Sequence, residues 1–249
     1  MRPNRLRHIT AEGGTVRCAW LSIPSSYAAE IAGASGLDAV LVDLQHGMIG
    51  FDAAVPMLQA ISATAAMPLA RVTHCEPAQV MKLLDAGAYG IVCPQVDTPQ
   101  VARDFVAACR YPPLGNRSYG PARGVLYGGA DYFAHANDEV WAIGMIESVQ
   151  ALSALDDILD TPGLDGLFIG PNDLAVSLGH DPMNPGPEVD AAIARILAAG
   201  QARGLVCGIF CGNAAAAVQR KSQGFNFVVP GNDNLVLRAA WRQAAELLA

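Results

Sequence analysis

The chain has 249 residues, of which 52% are hydrophobic and 16% are charged, and its formal net charge at pH 7 is −7. This length suits one large domain with a substantial core, and the acidic balance argues against a nucleic-acid or anionic-membrane surface. The low fraction of charged residues indicates that part of the surface is buried between subunits.

The N-terminal residues and the cysteines indicate the cellular compartment of the protein. The first residues, MRPNRLRHITAEGG, are basic but are followed by no apolar h-region, so we expect no signal peptide. No apolar run approaches the length of about 20 residues that a membrane-spanning helix needs. The six cysteines have no CxxC spacing, which favours reduced, buried thiols in a cytoplasmic protein. They are Cys18, Cys75, Cys93, Cys109, Cys207 and Cys211.

Short apolar runs alternate with helical patterns along the whole chain. The predicted strands span residues 18–23, 39–44, 68–72, 90–96, 141–148, 166–170, 206–210 and 225–231. Between them, stretches such as EPAQVMKLLDAGA place apolar residues three and four positions apart, as amphipathic helices do. Eight strand–helix units in a chain of this length predict a single α/β domain, a (β/α)8 TIM barrel over residues 1–249. A doubly wound open sheet is the alternative, but its glycine-rich phosphate motif does not follow the first strand.

One connection, from residue 111 to residue 140, is too long to be a turn and contains YPPLGNRSYGPARG. In a barrel, a long loop beside the ends of the strands often serves as a lid or as a subunit contact. We therefore expect one of these two roles for residues 111–140.

Polar residues follow several strands at the point where each strand ends. Asp43 and His46 come after the second predicted strand, and Arg71 ends the third. Glu147 ends the fifth strand, and the sixth runs into GPND at residues 170–173. Catalytic groups of a (β/α)8 barrel stand at the carboxyl ends of its strands, here called the mouth. We therefore expect these residues to converge on one rim.

Glu147 and Asp173 follow adjacent strands, so their carboxylates can reach one point. Two hard oxygen ligands suit Mg²⁺ or Mn²⁺ and leave positions for water and substrate. Zinc fits less well, because no histidine pair has ligand spacing. The alternatives are that Asp173 is a helix N-cap, and that Ser148 is a cap while Glu147 faces solvent.

Arg71 at the end of an apolar strand needs an anionic partner. That partner is either a neighbouring acid such as Asp43 or a substrate oxygen that becomes negative during a reaction. The backbone amides of residues 170–173 can cradle a small carboxylate or form an ordinary turn before a helix. The two lysines, Lys82 and Lys221, lie away from the strand ends. A Schiff-base aldolase is therefore not expected, and enolate chemistry here would need a metal.

These residues in this order resemble the metal-dependent class II pyruvate aldolases of the 4-hydroxy-2-oxoheptanedioate aldolase family, which includes 2-keto-3-deoxy-sugar-acid aldolases. The resemblance spans nearly the whole chain. It is carried by SSYAAEIAGASGLDAVLVDLQHG, LARV, VMKLLDAGAYGIVCPQV, RYPPLGNRSYGPAR, MIES and LDGLFIGPNDLAVSLG. It implies a barrel of the phosphoenolpyruvate/pyruvate-domain type. It also implies a lyase that reversibly cleaves 4-hydroxy-2-oxo acids into an aldehyde and pyruvate or a close 2-oxo acid.

The resemblance implies a cofactor and a substrate site. Glu147 and Asp173 would hold a divalent metal, Mg²⁺ or Mn²⁺ with Co²⁺ as a further option, and no organic cofactor is expected. Pyruvate would chelate that metal, Arg71 would stabilise the enolate oxygen, and backbone amides would hold the substrate carboxylate. The implied substrate-binding residues are Arg71, Gly170, Pro171, Asn172 and Asp173.

The resemblance also implies proton transfer and assembly. His46 would move protons together with a nearby acid, either Asp43 or Asp85. Members of the family are typically hexamers built from trimers or dimers, with the last helix exchanged between subunits. The stretch NLVLRAAWRQAAELLA is apolar at intervals of three and four residues, which makes it the predicted exchanged helix.

Two positions depart from the family pattern. Gln45 stands where the family commonly has Glu before the histidine, and Met145 stands where it commonly has Gln. The second change removes an amide beside the implied pyruvate site and so bears on the choice of donor substrate. Two other functions keep the same barrel: a lyase for malyl- or citramalyl-CoA esters, and a catalytically silent barrel that binds 2-oxo acids. The first needs a basic groove for the phosphates of CoA, which an acidic chain offers poorly.

Overall fold

In the computed structural model, which describes residues 1–248, eight parallel strands close into a barrel in chain order. The strands are β1 Val16–Leu21, β2 Ala39–Asp43, β3 Met67–Arg71, β4 Gly90–Cys93, β5 Trp141–Ile146, β6 Gly166–Ile169, β7 Val206–Phe210 and β8 Phe227–Val229. The predicted (β/α)8 fold is confirmed. Every strand except β7 ends one to three residues before its predicted end, because the last residues of those apolar runs bend into the loops at the mouth.

Thirteen helices lie in the described chain. They are α1 Arg5–Ala11, α2 Ser26–Gly33, α3 Phe51–Ser62, α4 Pro77–Asp85, α5 Pro99–Cys109, α6 Ala122–Gly128, α7 Tyr132–Glu139, α8 Val149–Ser153, α9 Leu155–Leu159, α10 Pro171–Ser177, α11 Pro187–Ala202, α12 Ala214–Ser222 and α13 Asp233–Leu247. Several begin where a Ser, Thr or Asn side chain accepts a free backbone N–H, as Thr98 does for α5. Within residues 1–248, none of these helices combines the length and the apolar character needed to cross a bilayer.

The alternation of side chains along each strand aims particular residues into the barrel. Leu41 and Leu69 belong to the cluster that fills the barrel interior, whereas Val40 and Ala70 pack in the layer between strands and helices. The residues two positions beyond Leu41 and Leu69 are polar, and they share the same inward direction at the mouth. Asp43 and Arg71 are those residues, and their Cα atoms are partners in the β2–β3 register.

The long connection contains α6 and α7, and it lies at the amino end of the barrel rather than at the mouth. The backbone N–H of Arg2 donates to the carbonyl of Gly128, and the Asn4 side chain donates to the carbonyl of Glu139. The expectation of a lid over this chain's own mouth is therefore wrong. The reason is topological, because α5 has already returned the chain to the amino end before the connection begins.

The C-terminal helix α13 is attached at its start and unsupported beyond it. The Asp233 carboxylate accepts hydrogen bonds from the backbone N–H of Ser22 and from that of Ile23. No residue of the helix is buried, although Val236 and Trp241 are large and apolar. An amphipathic helix of 15 residues thus leaves its apolar face uncovered by its own chain.

Candidate active site

A cavity of about 350 Å³ opens at the mouth of the barrel. Its lining residues come from strand ends, from the loops that follow them and from the start of α13. They are Trp20, Ser22, Asp43, His46, Arg71, Met145, Phe168, Gly170, Pro171, Asn172, Asp173, Phe210, Asn232, Asn234 and Leu235. The structure thus brings together the predicted His46, Arg71, Asp43 and residues 170–173.

Asp43 and Arg71 form a buried, two-armed ion pair on the wall of the cavity. Asp43 Oδ1 accepts from Arg71 Nε at 2.8 Å, and Oδ2 accepts from Nη2 at 2.5 Å. Burial opposes ionisation of Asp43, but the hydrogen bonds and charge of Arg71 prevail and hold its pKa below the ordinary value. Of the two partners predicted for Arg71, the neighbouring acid is therefore present. The pairing orients the guanidinium while Nη1 remains on the cavity side, 3.9 Å from Met145 Sδ.

Trp20 supports this pair from within the barrel. Its indole N–H donates to Asp43 Oδ2 at 3.1 Å, and the guanidinium carbon of Arg71 lies 4.8 Å from its ring centroid. The ring packs against Phe168 and Phe210 at centroid distances of 5.3 and 5.9 Å. These aromatic rings give the cavity an apolar wall, which strengthens electrostatic interactions inside it.

Glu147 is buried at the end of β5, with 3% of its surface exposed. Its Oε1 accepts the backbone N–H of Gln95 at 2.8 Å. Its Oε2 receives no hydrogen bond from residues 1–248 and occupies the space where a Cβ on Gly170 would stand. Burial and then the like charge of Asp173 raise the pKa of Glu147 to about 7, against the opposing effects of the Gln95 N–H and Arg71.

The N-caps of α8 and α10 show whether Glu147 and Asp173 serve as helix caps or are available as metal ligands. Gly170 is the N-cap of α10, and Asp173 lies within its first turn with an exposed side chain. Ser148 is the N-cap of α8, where its Oγ accepts the N–H of Ala151. Asp173 is thus not a cap and Glu147 does not face solvent, so both carboxylates remain free for another role.

The residues present fit a hard divalent cation. A buried carboxylate with one oxygen free of hydrogen bonds, placed near a second carboxylate, needs positive charge close by. Glu147 and Asp173 supply two oxygen ligands, the type that Mg²⁺ and Mn²⁺ prefer. Within residues 1–248, no cluster of three or more His, Cys, Asp or Glu side chains could hold a metal ion. Such a cation would therefore depend on water and substrate for its remaining ligands.

The two candidate acids for proton transfer occupy different places. His46 is exposed on the rim, and its backbone N–H, not its ring, approaches Asp43 Oδ1 at 3.3 Å. Asp85 ends α4 and therefore lies at the amino end of the barrel, where its Oδ1 accepts from Arg117 Nη2 at 2.7 Å. A single chain does not bring Asp85 to the cavity.

The two departures from the family pattern lie on either side of the site. Met145 is buried and places its thioether between Arg71 and Gly170, so this part of the floor is apolar. Gln45 follows the buried pair, and its Oε1 is buried with no hydrogen-bond partner in the described chain.

Sequence reasoning missed several contributors to the site. Trp20, Phe168 and Phe210 were expected only as strand residues, because an aromatic residue in a strand is far more often core than cavity wall. Asn232 and Asn234 precede or begin α13, and nothing in the sequence indicated that this helix starts at the mouth. The backbone amide of Gln95 was missed because a main-chain donor has no side-chain signature.

Comparison with known proteins agrees with this geometry. The family model described as HpcH/HpaI aldolase/citrate lyase matches residues 18–240. A hydroxypyruvate/pyruvate aldolase of Rhizorhabdus wittichii is 42% identical over 242 residues, which cover 96% of each chain. A 2-keto-3-deoxy-L-rhamnonate aldolase of Salmonella gallinarum is 41% identical over 237 residues, covering 92% of this chain and 87% of that protein.

The fold has equally similar relatives among solved structures. The crystal structure of a HpcH/HpaI aldolase/citrate lyase family protein from Burkholderia cenocepacia superposes with a TM-score of 0.93 at 35% identity, covering 98% of this chain and 99% of that one. The closed barrel and these relatives define a TIM-barrel lyase, and its cavity carries an arginine that Asp43 orients. The chain belongs to the HpcH/HpaI aldolase/citrate lyase family, and the predicted kinship with class II pyruvate aldolases is confirmed.

Proposed function

We propose that this enzyme reversibly cleaves 4-hydroxy-2-oxo acids into an aldehyde and a 2-oxo acid, either pyruvate or its hydroxylated analogue. The observation that carries the proposal is the cavity at the mouth, which Arg71 and Asp173 line and where the buried carboxylate of Glu147 lies directly behind Gly170. The names of the two related aldolases support the substrate class. The cavity of about 350 Å³ is of the size that holds a small substrate.

Glu147 and Asp173 would hold the divalent metal. When bound, such a cation draws charge from the 2-oxo group and thereby makes the neighbouring methyl group more acidic. The free Oε2 of Glu147 and the exposed carboxylate of Asp173 support this assignment. Either Mg²⁺ or Mn²⁺ suits the two oxygens, and Co²⁺ is a third option.

Arg71 would stabilise the negative charge that develops on the keto oxygen. Its guanidinium is held by Asp43 on two arms, so it needs no rearrangement when that charge appears. Asp43 would act by orienting Arg71 rather than by exchanging protons, because both of its oxygens are engaged and its pKa is lowered. The backbone amides of residues 172 and 173, at the start of α10, would hold the substrate carboxylate.

His46 would transfer the proton at the hydroxyl or aldehyde end of the substrate. It lines the cavity with an exposed side chain, and a histidine ring can both donate and accept a proton. Asp85 remains a candidate partner for His46 only if a second copy of the chain delivers it, since it lies at the amino end of its own barrel. The variant His46→Ala should bind metal normally and lose aldol turnover; loss of metal binding would contradict this assignment.

The aldehyde half of the substrate would occupy the outer part of the cavity. Ser22, Asn232 and Asn234 line the cavity, and all three are neutral hydrogen-bonding residues. The Asp233 carboxylate lies in the first turn of α13, where its negative charge disfavours an anionic group. We therefore expect uncharged, hydroxylated aldehydes to be better acceptors than phosphorylated ones.

The test is deuterium exchange into the methyl group of pyruvate, followed by proton NMR in D₂O. Chelator-treated protein should show no exchange, and exchange should return with Mg²⁺, Mn²⁺ or Co²⁺. Glu147→Ala and Asp173→Ala should each reduce the metal-dependent rate by about a thousandfold, since each removes one of two protein ligands. The exposed Glu30 on α2 provides the matched control, and Glu30→Ala should exchange like the wild type.

Each other result has a defined meaning. Full exchange by metal-free protein, or by Glu147→Ala, would contradict the proposal. Metal binding without exchange of either pyruvate or hydroxypyruvate would favour a silent barrel that binds 2-oxo acids. The malyl- or citramalyl-CoA alternative is less well supported, because among the described residues that line the cavity only Arg71 carries a permanent positive charge.

We further propose a homo-oligomer, a trimer or hexamer, in a reducing compartment such as the cytoplasm. The uncovered apolar face of α13 supports exchange of this helix between subunits. The six free cysteines support the compartment. Light scattering should give a mass several times the 26.0 kDa of one chain, and a monomeric wild type would contradict the assembly.

A further inference from the structure

The loop after β4 places a non-glycine residue in the left-handed backbone conformation, which the other described residues adopt only at glycine. Gln95 has φ of 51°, and it is the only non-glycine residue among residues 1–248 with a positive φ. This left-handed conformation costs an L-residue about 1–2 kcal/mol. Strain of this kind persists only where the surrounding structure enforces it, and it is concentrated at functional sites.

Three contacts on the next two residues enforce this conformation. The backbone N–H of Val96 donates to the carbonyl of Met145 at 3.1 Å. The Val96 side chain packs on Gly144, where a built Cβ would lie only 3.2 Å from Val96 Cγ2. Ser148 Oγ donates to Asp97 Oδ1 at 2.5 Å. The loop is thus fastened to β5 before Glu147 and to the start of α8 after it.

The strained residue uses its backbone and leaves its side chain in solvent. The Gln95 side chain is exposed, whereas its N–H points inward and donates to Glu147 Oε1. This bond occupies one carboxylate oxygen and turns the other, Oε2, toward Gly170 and the start of α10. With an ordinary negative φ, the N–H of Gln95 would point in a different direction and the bond would be lost.

We propose that Gln95, held in its left-handed conformation by Val96 and Asp97, is a positioning residue that orients Glu147 for metal binding. The role belongs to the backbone amide, so it depends on conformation and not on the glutamine side chain. This inference rests on the proposed function, because it assumes that Glu147 is a metal ligand. Groups that orient a metal ligand typically change metal affinity by about 10–100-fold when they are removed.

The test compares two substitutions at Gln95 by titrating the metal-free protein with Mn²⁺ and measuring free Mn²⁺ by electron paramagnetic resonance. Glycine adopts the left-handed conformation without strain, whereas a β-branched side chain disfavours it strongly. Gln95→Val should therefore weaken Mn²⁺ binding by about tenfold. Gln95→Gly, which removes the whole side chain, should bind Mn²⁺ at least five times more tightly than Gln95→Val.

A control and a second route complete the design. Gln59 is exposed on α3, and Gln59→Val makes the same chemical change away from the site; it should leave the Mn²⁺ affinity unchanged. Asp97→Ala releases the loop from Ser148 without adding a branched side chain, and should weaken Mn²⁺ binding by about threefold or more. Thermal unfolding followed by circular dichroism verifies that each variant is folded.

The outcomes separate this inference from the proposed function. Wild-type protein that binds no Mn²⁺ would overturn the metal site and the positioning role together. If the wild type binds Mn²⁺ and Gln95→Val binds it equally tightly, only the positioning role is overturned. Equal losses in the Gly and Val variants would also overturn it, because the side chain rather than the backbone would then be responsible.

Discussion

The two ends of this barrel can be compared through one acid at each, the partly buried Asp165 at the amino end and the buried Glu147 at the mouth. At the amino end, Asp165 accepts hydrogen bonds from Arg7 at 2.7 Å, from Arg110 at 2.5 Å and from the backbone N–H of Ala142 at 2.6 Å. At the mouth, Glu147 accepts one backbone N–H and has the like charge of Asp173 nearby. Both acids are fixed by strands of the same sheet, yet only the first is neutralised by the protein.

This difference indicates what each end is for. Two arginines and the backbone N–H of Ala142 donate to both oxygens of the partly buried Asp165, so these contacts at the amino end contribute to stability. At the mouth, no cationic side chain of residues 1–248 forms a hydrogen bond with Glu147, and the loop that holds this acid is strained at Gln95, which gives no stability. A buried acid with a raised pKa beside a cavity is typical of a functional site.

The largest effect that distinguishes the two ends is a loss of stability when Asp165 at the amino end is replaced. Asp165→Asn leaves the buried guanidinium of Arg110 without its anion, which should reduce the free energy of unfolding by about 3 kcal/mol. The melting temperature should then fall by roughly 10 °C. The rate of metal-dependent deuterium exchange at a temperature where the variant is folded should stay within about twofold of the wild type, since the mouth is untouched. A large loss of exchange without a loss of stability would reverse the assignment of the two ends.

The next effect is expected at Gly170. A Cβ at this position would overlap Glu147 Oε2, so Gly170→Ala should displace the carboxylate and weaken Mn²⁺ binding by about 10–100-fold. Gly120 provides the control, because a Cβ there meets nothing within 4 Å. Mn²⁺ titration of the two variants tests this prediction, and equal affinities would show that Oε2 is not a metal ligand.

A smaller effect is expected from Trp20. Trp20→Phe keeps a ring beneath Arg71 but removes the indole N–H that donates to Asp43, at a cost of about 1.5 kcal/mol. Turnover should fall roughly tenfold while Mn²⁺ affinity stays unchanged, because the lost bond orients Arg71 and not the carboxylates. Trp241→Phe, on the exposed face of α13, is the matched control. If Trp20→Phe changed the Mn²⁺ affinity, the indole would act on the carboxylates, and its assignment to the Asp43–Arg71 pair would be contradicted.

The smallest effect concerns pH. The folded protein lowers the pKa of Asp43 from its ordinary value of 3.8, so ionised Asp43 contributes stability that is present above that value and is lost as the pH falls below it. The difference in unfolding free energy between the wild type and Asp43→Asn should be constant from about pH 5 to pH 8 and should shrink below about pH 4. Denaturant unfolding across this range measures it. A difference that grows on acidification would contradict the Asp43–Arg71 pairing.

Most of the fold was predictable, because eight apolar runs separated by amphipathic stretches have few other solutions. The same holds for the inward direction of Asp43 and Arg71, which continue the alternation of Leu41 and Leu69. The position of the long connection was not predictable from its length alone, since a long loop can occur at either end of a barrel. The sequence pattern also predicted α13 as a helix without revealing that its own barrel leaves it uncovered.

The site also has a part that the sequence predicts and a part that only the structure reveals. Glu147, Asp173, Arg71 and His46 were predicted from their positions after strands, where a charged residue stands out against an apolar run. The sequence offered Asp43 as one of two possible partners of Arg71, but only the structure shows that this pair forms and that the His46 ring does not contact Asp43. A backbone donor such as the N–H of Gln95 is common to nearly all residues, so only the structure reveals where it points.

The central proposal is that Glu147 at the mouth, which no cationic side chain of the described residues contacts, would be balanced by a divalent cation bound from solution, whereas Asp165 at the amino end is balanced by two arginines. Thermal unfolding with and without saturating Mn²⁺ tests it most directly. At 100 times its dissociation constant, a metal should add about 2.7 kcal/mol of stability to the wild type. The same increase in stability is expected for Asp165→Asn, although this variant is less stable without metal. Almost no increase is expected for Glu147→Gln. If Mn²⁺ stabilises Glu147→Gln as much as the wild type, the cation binds elsewhere and the account of the mouth is wrong.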